Sequence, residues 1–393
     1  MMPKLSYHIL LVDDSPTIHI AVHSTMQQYI DDCTLDIFYA KDGLQALEIL
    51  AQQEVDLIVT DLEMPAMDGF ALISHLRKQP AYQHTPILFL TAHSGTKEKI
   101  RAFDLGATDY LVKPFIPQEL RVRVMGYLER QRAYQTIQQQ NAQIEEELEH
   151  AREMQKIILP HFLCRIPHAG VYAKYLPMIQ IGGDFYDIFE LGPNQFGLMV
   201  ADVSGHGIPA ALLSFMISGI FKYSAQGLFS TKMVLNLVNG IIYGKLPEGR
   251  FATMFYGIYD AEQQILTYSS ASHPPALVLR PKTGEIFRLK TTGNFIGLFN
   301  NELARYGELQ FSFEPGDRLL LYTDGIQEVL NDDHKMLGLN RIENFLRENA
   351  NLPLDNLLDD LLKYSIDYSN HHSLDDDATL LGLEVLPLPH SKP

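Results

Sequence analysis

The chain has 393 residues and should form two or three domains, because a single core rarely grows beyond about 250–300 residues. Its hydrophobic content of 46% and charged content of 20% are ordinary for a globular protein. A net charge of −17 argues against nucleic acid or an anionic membrane surface as a partner, and it fits a protein that gathers carboxylates around cations.

No apolar stretch is read as reaching the roughly 18 residues that a membrane span needs, and Met1–Ser6 lacks a signal-peptide pattern. The two cysteines, Cys33 and Cys164, lie far apart and without CxxC spacing. A reduced, cytoplasmic location without membrane attachment is the expectation.

Residues 1–127 alternate short apolar runs with helix-period segments. Strands are predicted at Ile9–Val12, Leu35–Ala40, Val55–Thr60, Pro86–Thr91 and Asp109–Val112. Helical patterns fall between them at Ser15–Tyr29, Gly43–Gln52, Phe70–Arg77 and Lys97–Leu105. This alternation predicts an α/β doubly wound domain with a five-stranded parallel sheet and a site at the C-terminal strand ends.

Residues 128–160 read as a helical linker. Tyr134, Ile137, Asn141, Ile144, Leu148, Ala151, Gln155 and Ile158 recur at alternating spacings of three and four. That is a coiled-coil seam, so a homodimer through residues 128–158 is expected, with Asn141 helping to fix strand number and register.

Residues 161–387 contain further strand candidates at Phe196–Val203, Met254–Tyr259, Ile265–Ser270, Ala276–Leu279, Arg318–Tyr322 and Thr379–Val385. Helices are predicted at Pro209–Tyr223, Thr231–Tyr243, Asn340–Asn349 and Leu354–Tyr368. The mixture predicts an α+β layered domain around an antiparallel sandwich.

Two predicted strands of the first domain end in acid, at Asp13-Asp14 and at Asp61. Adjacent carboxylates repel, and burial adds to the cost unless a cation or proton compensates. With Thr91 closing the fourth strand and Lys113 following the fifth, one sheet edge collects acids, a hydroxyl and an ammonium. Such a set can hold Mg²⁺, neutralise an incoming phosphoryl group and leave Asp61 as nucleophile.

The set Asp13-Asp14, Asp61, Thr91, Tyr110 and Lys113-Pro114, with Met64-Pro65 and Asp68-Gly69, resembles the receiver domains of bacterial two-component response regulators. The resemblance implies phosphorylation of Asp61 by a sensor histidine kinase and a cis bond before Pro114. It also implies Mg²⁺ held by Asp13, Asp14, Asp61 and the Glu63 carbonyl, and switching through Thr91, Tyr110 and Lys113.

Four acidic motifs mark the C-terminal domain: Gly182-Gly183-Asp184, Asp202-Val203-Ser204-Gly205-His206-Gly207, Thr323-Asp324-Gly325 and Asp375-Asp376-Asp377-Ala378-Thr379. Carboxylates at strand ends beside glycines suit two hard divalent ions and a phosphate. The order of motifs resembles PPM-type serine/threonine protein phosphatases of the SpoIIE/RsbU-like branch, an α-β-β-α sandwich. It implies two Mn²⁺ or Mg²⁺ ions. Asp202 would bridge both, the Val203 carbonyl would ligate one, Asp324 and Asp376 would hold the other, and Asp184 would act through metal-bound water. Asp187 and Asp377 are second-rank candidates.

Two departures stand out. The stretch just ahead of the first motif, Leu176–Ile181, holds no basic residue where the eukaryotic relatives place a phosphate-binding arginine, and His206 is more distant from Asp202 than in those enzymes, which favours a loop-structuring role. His273 is read as shaping a turn, and His371-His372 as part of a polar loop. The implied substrate is a phosphoserine or phosphothreonine protein, an anti-sigma-factor antagonist. The alternative is a phosphorylation-controlled pseudophosphatase that sequesters a partner without catalysis.

Overall fold

The computed structural model describes residues 5–27, 33–92, 95–160, 164–369 and 373–388. His371-His372 and the predicted end of the first helix near Tyr29 lie outside them. The chain divides into two compact units, Met1–Ile144 and Glu145–Pro393.

The first unit runs β1 (Leu5–Val12), α1 (Pro16–Gln27), β2 (Cys33–Ala40), α2 (Gly43–Leu50), β3 (Leu57–Asp61), α3 (Gly69–Leu76), β4 (Ile87–Thr91), α4 (Thr96–Asp104) and β5 (Asp109–Val112), and continues into α5 (Pro117–Ile158). The strands form one parallel sheet in the order β2-β1-β3-β4-β5. Alternate side chains cover opposite faces, as the pleat requires. Leu10, Val12, Ile58 and Phe89 pack with Ala46, Leu72 and Leu76 of α2 and α3. Ile9, Leu11, Val59 and Leu90 pack with Val22 of α1 and Leu120 and Val124 of α5. Because all five strands point the same way, their acid-bearing ends share one edge.

Helix α5 is 42 residues long. Tyr134, Ile137 and Ile144 on the predicted seam are 39%, 53% and 54% exposed. Gln155 corrects the seam: it is buried and hydrogen-bonded to Gly182, because its amide matches a peptide group of the domain that follows.

The second unit contains β6 (Ala169–Leu176), β7 (Phe185–Gly192), β8 (Gln195–Val203), α6 (Gly207–Ala225), α7 (Thr231–Ile242), β9 (Ala252–Asp260), β10 (Ile265–Ala271), β11 (Ala276–Arg280), β12 (Glu285–Leu289), β13 (Leu309–Ser312), β14 (Arg318–Tyr322), α8 (Asp324–Gln327), α9 (Gly338–Glu348), α10 (Leu354–Tyr368) and β15 (Ala378–Val385). Two antiparallel sheets result, β13-β10-β9-β8-β7 and β12-β11-β14-β15-β6. Val200, Phe255, Tyr259, Val278, Leu321 and Leu381 fill the space between them. Helices α6 and α7 cover the first sheet and α8–α10 the second, each over its own apolar cluster. This is the α-β-β-α sandwich expected from the sequence.

One expectation fails here. Helix α6, Gly207–Ala225, is long and apolar enough by composition to cross a membrane. Its apolarity has another use: Ile217, Phe221 and Ala225 are buried against α7 and the first sheet.

Candidate functional site

In the first unit, Asp13 follows β1, Asp61 ends β3, Thr91 ends β4 and Lys113 follows β5. The Lys113 ammonium lies 2.6 Å from Asp13 Oδ2 and 2.6 Å from Asp61 Oδ2. Burial works against this ammonium, but its hydrogen bonds to Asp13 and Asp61 prevail and raise its pKa above the ordinary lysine value. The other oxygen of Asp61 accepts the Leu62 N–H at 2.6 Å, and that of Asp13 accepts the Ser15 N–H at 2.9 Å.

Asp14 is exposed beside them, and one oxygen from each of Asp13, Asp14 and Asp61 lies within 4.8 Å of the others. Among the described residues this is the one acidic group that tight. Three carboxylates with one ammonium leave a net negative, oxygen-only site, which fits a hard divalent cation. The Glu63 main chain lies beside the acceptor, its N–H 3.4 Å from Asp61 Oδ1.

Asp68 caps α3 through the Ala71 N–H. A Cβ on Gly69 would stand 2.3 Å from the Asp61 carbonyl oxygen, so only glycine lets the helix start this close to the acceptor. Thr91 is buried at its strand end. Tyr110 is half-buried, edge-on to Phe103 and 4.2 Å beneath the Lys99 ammonium. The Lys113-Pro114 bond is cis, as expected.

In the second unit the acids come from both sheets. Asp184 precedes β7 and Asp202 lies near the end of β8, in the first sheet. Asp324 follows β14, and Asp376 and Asp377 precede β15, in the second. Strands β14 and β15 are paired, which puts their acids side by side.

Asp184 is fully buried, and its Oδ2 accepts hydroxyl hydrogens from Thr323 at 2.6 Å and Thr379 at 2.7 Å. Both threonines belong to the acidic motifs, yet nothing in the spacing of those motifs assigns them a role. They tie a carboxylate of one sheet to two strand ends of the other. Burial first, and then Asp202 and Asp377, push the Asp184 carboxyl well above the ordinary range. Burial followed by Asp324 and Asp376 pushes Asp202 up to about 8, and burial followed by Asp376 and Glu328 pushes Asp324 up to about 6.

Acids that retain protons near neutral pH are a cluster short of positive charge. Their spread, wider than the Asp13–Asp14–Asp61 group, suits two cations roughly 3.5–4 Å apart. A Cβ on Gly183 would come within 2.8 Å of the Val203 carbonyl oxygen, the expected main-chain ligand. The donor set therefore fits two hard divalent ions.

The second-rank acids have other partners. Asp377 spends Oδ1 on the Met178 N–H at 2.8 Å and Oδ2 on the Gly183 N–H at 2.6 Å, which holds the loop in front of Asp184. Asp187 pairs with Lys222 at 2.9 Å and lines a separate cavity of about 400 Å³. His206 is exposed ahead of α6 and makes no capping bond. His273 is buried, its ring 2.8 Å from the Thr253 hydroxyl, and burial lowers its pKa to about 3. Thr253 pairs with Asp202 across β8 and β9, so the neutral imidazole supports the Asp202 strand end.

Sequence reasoning missed Arg250. Its Nη1 donates to the Ser204 carbonyl at 2.5 Å, within the Asp202–Gly207 loop. Gly205 has φ +96°, and a Cβ there would strike that guanidinium at 1.7 Å. A cation thus reaches the acidic loop from 46 residues further along the chain.

Residues 9–125 match the family model described as "Response regulator receiver domain", and residues 192–386 match "Stage II sporulation protein E (SpoIIE)". "Probable transcriptional regulator ycf29" of Pyropia yezoensis is 33% identical over 37% of this chain and 64% of its own length. "Phosphoserine phosphatase RsbU" of Bacillus subtilis is 28% identical over 66% of this chain and 76% of its own. The chain thus spans somewhat under two thirds of the first of these relatives and about three quarters of the second. Among solved structures, the SiaA-PP2C domain of Pseudomonas aeruginosa aligns with a TM-score of 0.54 at 22% identity, over 62% of this chain and 97% of that one, which shows the shared fold. The chain carries a response-regulator receiver domain over residues 9–125 and a SpoIIE-type phosphatase domain over residues 192–386.

Proposed function

We propose that phosphorylation of Asp61 by a sensor histidine kinase controls a metal-dependent protein-serine/threonine phosphatase in the second domain. The observation that carries this reading is the crowd of Asp184, Asp202 and Asp324, with the exposed Asp376 at its rim, where the first three carboxyls are pushed above the ordinary range at the meeting point of two sheets. Structural acids of a core would be paired with cations; these face one another. Similarity to a protein named phosphoserine phosphatase supports the reaction class.

Asp202, Asp324, Asp376 and the Val203 carbonyl would hold the two Mn²⁺ or Mg²⁺ ions. When bound, the ions supply a nucleophilic water at neutral pH and neutralise phosphoryl charge. Asp184, fixed by Thr323 and Thr379, would orient the attacking water and, once bound cations lower its pKa, take its proton. Arg250 steadies the Asp202 loop, and Asp377 anchors the Met178–Gly183 segment ahead of Asp184. In the receiver, Asp13, Asp14, Asp61 and the Glu63 carbonyl would hold Mg²⁺, while Lys113 already stands where an incoming phosphoryl oxygen needs a positive partner. The substrate we infer is a phosphorylated anti-sigma-factor antagonist of a partner-switching pathway in the cytoplasm.

The test is dephosphorylation of a purified phospho-antagonist with Mn²⁺ or Mg²⁺, with and without acetyl phosphate or beryllofluoride. The rate should change with receiver input in the wild type and stay constant in Asp61→Asn. A rate indifferent to receiver input in both proteins would remove the regulatory half of the proposal. Free phosphoserine should be a poor substrate.

We also propose that the exposed seam residues of α5 pair two chains over residues 134–151. Ile137→Glu with Ile144→Glu should convert a dimer to a monomer in sedimentation. A dimer that survives the double substitution places the contact elsewhere.

A further inference from the structure

We propose that Arg250 receives the phosphoryl group of the substrate at the rim of the acidic site, holding the Asp202 loop with one nitrogen and the incoming phosphate with the others. The inference rests on the phosphatase reading above and names the residue that meets the charge of the substrate.

Charge balance creates the need. Two divalent cations carry four positive charges, and Asp184, Asp202, Asp324 and Asp376, once ionised, return four negative ones. Asp377, whose charge is felt at both Asp184 and Asp202, adds one more. A phosphoryl dianion therefore comes to a loaded site with no surplus of positive charge. Leu176–Ile181, just ahead of the first acidic motif, supplies none.

Arg250 is placed to supply it. Its main-chain N–H closes a turn on the Pro247 carbonyl at 3.0 Å, and the next residue, Phe251, packs on Phe295 with ring centroids 4.5 Å apart. Strands β8 and β9 are paired as far as Val203 and Ala252. One step further the ladder changes partners. The Ser204 N–H donates to the Phe251 carbonyl at 3.0 Å, as an antiparallel pair requires. The returning Phe251 N–H goes to the Ser204 hydroxyl at 3.0 Å, and the Ser204 carbonyl accepts Arg250 Nη1 at 2.5 Å instead. The serine hydroxyl thus frees a carbonyl that anchors the guanidinium two residues from Asp202.

That anchor leaves most of the guanidinium unspent. Its fork holds five N–H donors, and among the described residues Arg250 makes this one side-chain hydrogen bond and pairs with no carboxylate. Two parallel N–H donors match two phosphate oxygens, which an ammonium cannot do. Gly205 lets the guanidinium lie against the loop main chain, since a Cβ there would stand 1.7 Å from Nη1. Gly205 and His206 are exposed and Arg250 is half-buried, so a substrate reaches this rim from solvent.

The experiment uses the full chain at limiting and at saturating Mn²⁺. It reads binding of inorganic phosphate by calorimetry beside the turnover of p-nitrophenyl phosphate. At saturating Mn²⁺, Arg250→Met should raise the phosphate dissociation constant and KM together by about 10- to 100-fold, with a smaller change in kcat. Arg250→Lys keeps the charge and loses the fork, so it should fall between; it decides the question if the methionine variant does not fold. Wild-type phosphate affinity and KM in a folded variant overturn the proposal. So does a defect present at limiting Mn²⁺ and absent at saturating Mn²⁺, because Arg250 would then serve the loop and its metals alone. A wild type that binds phosphate without hydrolysing the ester removes the phosphatase reading, and calorimetry of the variants still decides the Arg250 contact. A wild type that does neither removes both, whereas an active wild type with indifferent Arg250 variants removes only the contact.

Discussion

Asp202→Asn should remove metal-dependent phosphatase turnover by about 10³-fold or more while making the metal-free protein more resistant to heat. The two effects have one cause. Asp202 is half-buried with Asp324, Asp376 and Asp377 as its charged neighbours, and desolvation with their repulsion holds its pKa up near 8. An uncharged isostere relieves that repulsion but would be a weak ligand for the cations. Removing an ionised ligand forfeits several kcal/mol of transition-state stabilisation, and each 1.4 kcal/mol is about tenfold in rate. A purely structural aspartate would show the opposite pairing, with stability lost and activity spared. Turnover of p-nitrophenyl phosphate with Mn²⁺, measured beside thermal unfolding in a chelator, reads both. Activity retained by Asp202→Asn would leave the domain a binding module.

In the sandwich, the sequence revealed the inner strands and concealed the outer ones. Five receiver strands and the six inner strands of the sandwich, β8, β9, β10, β11, β14 and β15, all match predicted runs within a few residues. The four strands that escape prediction, β6, β7, β12 and β13, are the four edges of the two sheets. An edge strand has one neighbour and more contact with water, so its apolar signal is diluted. Glu285–Leu289 and Leu309–Ser312 show this in their mostly exposed or half-buried residues.

The acids of both sites are legible for a similar reason, since a carboxylate at the end of an apolar run is conspicuous in one dimension. What holds them is not. Thr323 reaches Asp184 across 139 residues and Asp377 reaches Gly183 across 194, separations at which local pattern carries no information. Gln155 falls on the coiled-coil seam by spacing alone, because heptad periodicity and a buried hydrogen bond can select the same position. Asp187 shows the converse: a motif acid can spend its charge on a nearby lysine and stand outside the site.

Stripped of metal, the phosphatase domain should lose thermal stability as pH rises from about 5 to about 8, against the usual trend for carboxylates. The sign follows from where the protons are. Asp324 at about 6 and Asp202 at about 8 both lie above the ordinary carboxylate value of 3.8, and Asp184 is displaced the same way. Between pH 4 and 8, roughly, the unfolded chain has released protons that the folded chain retains, so alkali favours unfolding and the loss levels off above the folded values. A carboxyl moved from 3.8 to about 8 represents on the order of 5 kcal/mol, which relaxation and water penetration reduce; a fall of about 5–10 °C in midpoint is expected. Cations bind the deprotonated ligands, so added Mn²⁺ should stabilise more at high pH than at low, widening the gap between loaded and stripped protein. Calorimetry of the full chain in chelator and in Mn²⁺ at about pH 5.5, 7 and 8 measures this, and the transition that Asp202→Asn shifts is the phosphatase domain. A chelated domain that grows more stable with pH would mean that these acids are already compensated from within the chain, and that the site has no need of metal.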